Sequence, residues 1–449
     1  METLTVQAYL NETWTDIALI KYPGSEKNDW NTTQLDYLTE YAINFLDYDD
    51  FHAVSVNHPV SLFFDDHGQP GWLRFIDDII PAGASRRYWI NALDISELPV
   101  GQQNFLLLKF GTMSPVGNLR IKESVPEWNK FASTKTFTVA DVIDRAADFL
   151  DYAQERGAAA GGATGAGGEA PKLLLRCSET DAIWIDTWQN EPDNRDRYYL
   201  VKYPRGNRTE VDCNILRAEF HYYHELNAMG FSTIPVETMR LKEGSHYPSL
   251  WLPRFDIVRN EQDQLVRLGM ESVYSLLQKA PGTLLDHETT LRALINKITS
   301  SHMVQQQGYQ FDIPGFVTEW VRRDLLNIIF GNSDNHGRNT AFVKAENQIM
   351  LSPVYDFAPM KADPEGIPRT LKWSLSCESG GDYNFNTIAQ TLAEWIPPAT
   401  LLDALHETAV QLIDLPERLA ARGVPEQIME MPAMGFRYIP DKLSRWGLL

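Results

Sequence analysis

The chain opens on LTVQAYL, where apolar and polar positions alternate with period two, the pattern of a half-buried strand. FIDDIIPAG and LLLKFGTMSPVGNLRI then predict a helix end and strands around a Gly/Pro turn. The period lengthens to three and four in VADVIDRAADFLDYAQER, so 139–156 reads as a helix. Alternation returns in RYYLVKY (197–203) and places Lys202 on one face with Leu200 and Tyr198. From Asn214 to Met229 a helical stripe of Leu216, Phe220, Tyr223 and Leu226 runs to a stop at Gly230. Glu219 falls on or beside that stripe, an odd place for an unpaired carboxylate. SLWLPRFDIV (249–258) predicts a strand entering a short connector, and from about residue 270 helical periodicity dominates, clearest in FVTEWVRRDLLNIIF at 316–330. TAFVK and QIML around AEN predict a hairpin over 340–351, and 385–449 reads as mostly helical, with no internal repeat.

Composition narrows the picture. A chain of 449 residues exceeds one ordinary core, so two or three domains are expected. A hydrophobic fraction of 43% with twelve Trp and twenty Phe marks a globular chain rather than a disordered one. No apolar run reaches membrane-spanning length, the start lacks a secretion signal, and three widely spaced cysteines suggest neither a disulfide framework nor a zinc ribbon. These features fit a reducing cytoplasm. The formal charge of −20 and the lack of a dense Lys/Arg run argue against tight, direct DNA binding by this chain alone.

The chemistry gathers in GNSDNHGRNTAFV (331–343) and in LSPVYDFAP after the hairpin. Asp334 and Asn339 stand as D-x-x-x-x-N, and Asp356 follows seventeen residues later. Phosphoryl transfer uses that set: one Asp to orient and deprotonate a hydroxyl, an Asn and a second Asp to hold Mg²⁺. Upstream, strand Lys202 and helical Glu219 match the ion pair that positions ATP phosphates. Twelve of fourteen positions in GAAAGGATGAGGEA (157–170) are Gly or Ala. It is either a flexible linker or a loop whose N–H groups approach phosphates. A zinc site at Asp334 and His336 is the rival, but no further His or Cys sits at ligand spacing.

These motifs, together with GGEAPKLLLR, YLVKYP, AEFHYYHELNAMGF and LPRFD in order, resemble the HipA-like serine/threonine kinases, toxins of bacterial type II toxin–antitoxin pairs. The resemblance covers roughly residues 1–360 and fades in the last 80. It implies an α+β, two-lobed protein-kinase-like fold: an N-terminal subdomain (1–125), an N-lobe with Gly-rich loop and hinge (126–260) and a helical C-lobe (261–449). It implies Asp334 as catalytic base, with His336 and Asn339 in the catalytic loop, and Asn339 and Asp356 as Mg²⁺ ligands. ATP would contact Gly165, Ala166, Gly167, Gly168, Lys172, Lys202, Glu219 and Tyr355, with Leu252, Pro253 and Phe255 forming the adenine hinge. The implied substrate is a protein hydroxyl, an aminoacyl-tRNA synthetase being the known kind of target. A HipB-like antitoxin is the implied partner, with DNA reached only through it. Gly165 stands where the family carries an autophosphorylated loop serine, which leaves Thr164 as the hydroxyl within the run. Pro253 replaces a frequent hinge Glu, and the family's basic DNA-contacting patch has no clear counterpart. A pseudokinase-like binding module and a small-molecule kinase are the alternatives.

Overall fold

The computed structural model describes residues 1–63, 71–113, 115–125, 136–145, 170–185 and 195–449. The fold is α+β, built on two antiparallel sheets and a helical core. The alternating opening segment forms β1 (Glu2–Leu10), which pairs with β2 (Thr13–Tyr22), while β3 (Gln34–Tyr37) and β4 (Leu119–Ile121) flank them in the order β3-β2-β1-β4. Its inward residues, Leu4, Val6, Ile17 and Ile20 among them, pack on the helices Ile76–Ile79 and Val100–Gly111 in a core of their own. The FIDDIIPAG and LLLKF segments are thus helical, and one strand rather than several follows the Gly/Pro turn.

The second sheet runs β6-β5-β7-β9-β8. Its members are β5 (Lys172–Cys177), β6 (Ile183–Trp184), β7 (Arg197–Lys202), β8 (Arg240–Glu243) and β9 (Pro248–Pro253). The two faces serve different ends. Leu173, Leu175, Tyr199, Val201 and Trp251 point into one small core with Phe137 and Val142, while Leu250 and Leu252 join the large helical core. Between β7 and β8 runs the helix Glu210–Ala228, begun earlier than its apolar stripe by a reciprocal cap between Thr209 and Asp212.

The expected 316–330 helix spans Ile313–Ile329, and the expected hairpin is Ala341–Ala345 with Gln348–Leu351. The region beyond 270 is less uniformly helical than its periodicity suggests: Gly269–Ser272 is a strand that pairs with Ala341–Ala345 and widens the hairpin to three strands. Helices Phe385–Thr391, Pro398–Leu412, Leu415–Arg422 and Ile439–Arg445 close the chain. Of the expected 139–156 helix, Val139–Ile143 is seen; Asp144 and Arg145, the latter at φ +51°, form a turn that ends it, and 146–156 lies outside the described residues. Among the described residues no helix is long and apolar enough to cross a membrane.

Candidate functional site

Lys172 on β5 and Lys202 on β7 are direct cross-strand partners. Like charges placed so repel, and burial makes the repulsion worse. Counter-charge comes from two distant segments. Lys202 Nζ donates to Glu219 Oε1 at 2.6 Å and also to Asp356 Oδ1. Lys172 Nζ lies 3.7 Å from Asp356 Oδ2. Both Lys202 and Glu219 are 3% exposed, so the lysine is no solvated strand residue and the helix carboxylate is no surface group. One turn past Glu219, the Tyr223 hydroxyl donates to Glu219 Oε1 (3.0 Å) and accepts the Phe357 N–H (3.2 Å). That bond ties the helix to the residue after Asp356. Asp356 itself adopts φ +52°, a left-handed conformation uncommon for a non-glycine residue.

The ionisation follows from these contacts. Burial works against the charge on Lys202, but Asp356 and Glu219 outweigh it and raise its pKa. Burial pushes Lys172 down to about 8 against the pull of Asp356, with Lys202 adding to the fall. Asp356 is held well below the usual carboxylate range because Lys172 and Lys202 overcome the cost of its burial.

Asp334 reaches the same hollow from the 331–340 loop, alongside Lys172, Lys202, Arg205, Glu219 and Asp356. Burial raises its pKa, His336 opposes the rise and Asp356 adds to it. His336 Nε2 sits 3.5 Å from Asp334 Oδ1, its ring lies near-parallel to Tyr274, and burial lowers its pKa. The loop is held from several sides. Asn339 Nδ2 donates to the Asp334 carbonyl (2.7 Å), Tyr355 donates its hydroxyl to the Arg338 carbonyl (2.5 Å), and Arg338 reaches the Asp77 carbonyl (2.9 Å). Gly337 is needed for close approach, since a Cβ there would lie 2.7 Å from the Tyr274 ring.

A second hollow shares Lys202 and Asp356 with the first and is apolar, lined by Leu200, Leu252, Pro253, Phe255 and Tyr355. Phe255 and Tyr355 face each other with centroids 5.9 Å apart. An ammonium group at the seam of a polar and an apolar hollow, with a second in the polar one, can hold a polyanion that carries a flat apolar group.

Residues 164–415, more than half of the chain, match the family described as the HipA-like C-terminal domain. The chain belongs to that family. Among solved structures, this HipA-like chain is similar to HipA of Shewanella oneidensis MR-1, determined with HipB and operator DNA. The TM-score is 0.58 at 14% identity, over 99% of this chain and 96% of that one. The Helicobacter pylori proinflammatory kinase CtkA is also similar, with a TM-score of 0.37 at 14% identity, over 57% of this chain and 87% of that one. No curated protein matches the chain.

The HipA-like fold thus gathers Lys172, Lys202, Glu219, Leu252, Pro253, Phe255, Asp334, Tyr355 and Asp356 around two adjoining hollows. Asn339 stands apart from them. It lines a third hollow with Asn327, Asn332 and Asn335, and its Oδ1 is buried with no hydrogen-bond partner. Both that oxygen and the Asp356 carboxylate are hard donors of the kind that Mg²⁺ takes, but they line different hollows, so the expected pair of ligands is not brought into one. Thr164, Gly165, Ala166, Gly167 and Gly168 lie outside the described residues. Sequence reasoning missed Arg205, which pairs with Asp363 at 2.9 Å, and missed Val116, Ile234 and Met270 on the apolar wall. Only coordinates bring these together, because no local pattern links them.

Proposed function

We propose that this chain is an ATP-dependent serine/threonine protein kinase of the HipA toxin type, with the β5–β9 sheet and the helical core acting as its two lobes. The supporting observation is the convergence of Lys202, Glu219, Asp334 and Asp356 on one hollow that adjoins an apolar wall. ATP would place adenine against Leu252, Phe255 and Tyr355 and its phosphates toward Lys172 and Lys202. Mg²⁺, held through Asp356, would supply positive charge against the phosphate oxygens. Asp334, whose carboxylate burial makes more basic, would orient the acceptor hydroxyl and take its proton. His336 would stay neutral beside it and limit its swing. Transfer would rest on positioning and electrostatics, with no covalent enzyme intermediate.

The acceptor would be a protein in the cytoplasm, an aminoacyl-tRNA synthetase in this reading. A HipB-like antitoxin would neutralise the chain, as the complex formed by the Shewanella relative suggests. Radiolabelled ATP incubated with the chain and a cell lysate tests the proposal. Label is expected in protein from the wild-type chain and not from Asp334→Asn. Label in small solutes would redirect the proposal to a small-molecule kinase. No transfer at all, with antitoxin binding intact, would leave a binding module.

A further inference from the structure

The helix that carries Glu219 is gripped from behind by a segment that the family match does not reach. That match ends at residue 415, and Arg418, Arg422 and Gln427 lie beyond it. Glu225 sits six residues after Glu219, about 240° around the helix, so the two carboxylates face different neighbours. Glu225, 1% exposed, accepts from Arg418 Nε at 2.7 Å and from Arg422 Nε at 2.5 Å. The Arg418 guanidinium is fixed in turn by Asp414 and by the Gln411 carbonyl (2.6 Å). At the other end of the helix, Asn214 Nδ2 donates to Gln427 Oε1 at 2.8 Å. Gly423, at φ +97°, turns the chain beside His221 and lets the segment lie along the helix.

We infer that the 416–427 segment is a brace that sets the Glu219 helix against Lys202, with Arg418 and Arg422 as positioning residues for the nucleotide site. The inference rests on the kinase reading. Glu219 meets Lys202 at 2.6 Å from this helix, and the Tyr223 bond to the Phe357 amide registers the same helix to the Asp356 segment. Both arginines are about a third exposed, so a partner that competes for Glu225 or shields the arginines could loosen the helix without entering the cleft.

The test combines Arg418→Ala with Arg422→Ala in the full chain and measures affinity for a fluorescent ATP analogue. The same pair is then placed in a Glu219→Gln background. Expected are an affinity loss of about tenfold in the native background, little further loss in the Glu219→Gln background, and faster amide exchange confined to 210–228. Arg422→Lys, which keeps the charge, is expected to retain most of the affinity. Equal losses in both backgrounds, or unchanged affinity and exchange, overturn the brace. If the double variant does not fold, Glu225→Gln carries the same expectations. A native chain that binds no nucleotide defeats the kinase reading instead, and exchange over 210–228 alone then decides the brace.

Discussion

The two antiparallel sheets bury cations in opposite ways. In the first, Arg120 on β4 donates Nε to Gln7 on β1 at 2.8 Å and lies 4.1 Å above the ring of Trp14 on β2, in the same sheet. Burial and the nearby Arg267 push its pKa down to about 9. In the second sheet, Lys172 and Lys202 oppose each other, and their carboxylates arrive from Glu219 and Asp356, 17 and 154 positions from Lys202. In the first arrangement these two partners lie on the sheet's own strands. The other is balanced only when the sheet, the Glu219 helix and the Asp356 segment assemble together. A charge cluster that distant elements must complete is suited to exchange a carboxylate for an incoming anion.

The largest test of that contrast concerns the chemistry that the second sheet serves. Asp334→Asn removes a carboxylate while preserving shape, and transfer to protein is expected to fall by about 10² to 10⁴ with little change in melting temperature. Because burial raises the Asp334 pKa, the rate is also expected to fall off on acidification from a pH above the ordinary carboxylate range. An unchanged rate or profile would remove Asp334 from its role.

Asp356→Asn comes next. Asn tolerates the left-handed backbone at φ +52°, so the substitution deletes charge without a new backbone penalty. It removes the carboxylate that both opposed lysines face, and about 3 kcal/mol of stability should be lost at neutral pH. The Mg²⁺ dependence of nucleotide affinity should also weaken. The pKa of Asp356 is depressed in the folded chain, so its stabilisation is full above the unfolded value near 3.8 and disappears as pH falls through the folded value. Denaturation of the two chains should therefore converge on acidification. Equal stabilities at pH 7 would show that the lysine pair does not depend on Asp356.

What was legible in the sequence follows the same division between local and distant contacts. Strand alternation placed Lys202 on its face, and a carboxylate on an apolar stripe marked Glu219 as needing a partner. The hairpin was legible because its strands are neighbours in the chain. Gly269–Ser272 was not, since four residues show no period and their partner strand lies some 70 residues away. The helix start carried a readable signal in Thr209 and Asp212 that the apolar stripe overshadowed. Tyr223 belonged to the stripe, yet its hydroxyl does the work of joining Glu219 to Phe357, which hydrophobic patterning cannot reveal. Asn339 was readable as a loop partner of Asp334, but its place in a separate hollow, with Asn327 and Tyr355, comes from segments distant in the chain.

A milder perturbation follows Lys172 by lysine side-chain NMR. Without nucleotide, its titration should fall near pH 8, because burial disfavours the ammonium form. A bound triphosphate should move that midpoint upward, toward the ordinary lysine range. A midpoint that nucleotide leaves in place would mean that the phosphates do not reach β5.

The smallest effect is expected in the first sheet and serves as the counterweight. Arg120→Lys keeps the charge but gives up the planar stack on Trp14 and the directed Nε bond to Gln7, at a cost of about 1 kcal/mol in stability. Nucleotide affinity should not change, because both partners lost lie within the β1–β4 sheet. Should affinity fall in step with stability, the two sheets would be energetically coupled. The cation of the first sheet would then belong to the same functional unit as Lys172 and Lys202, through the contacts that the N-terminal region makes with Arg338 and with the 254–256 connector.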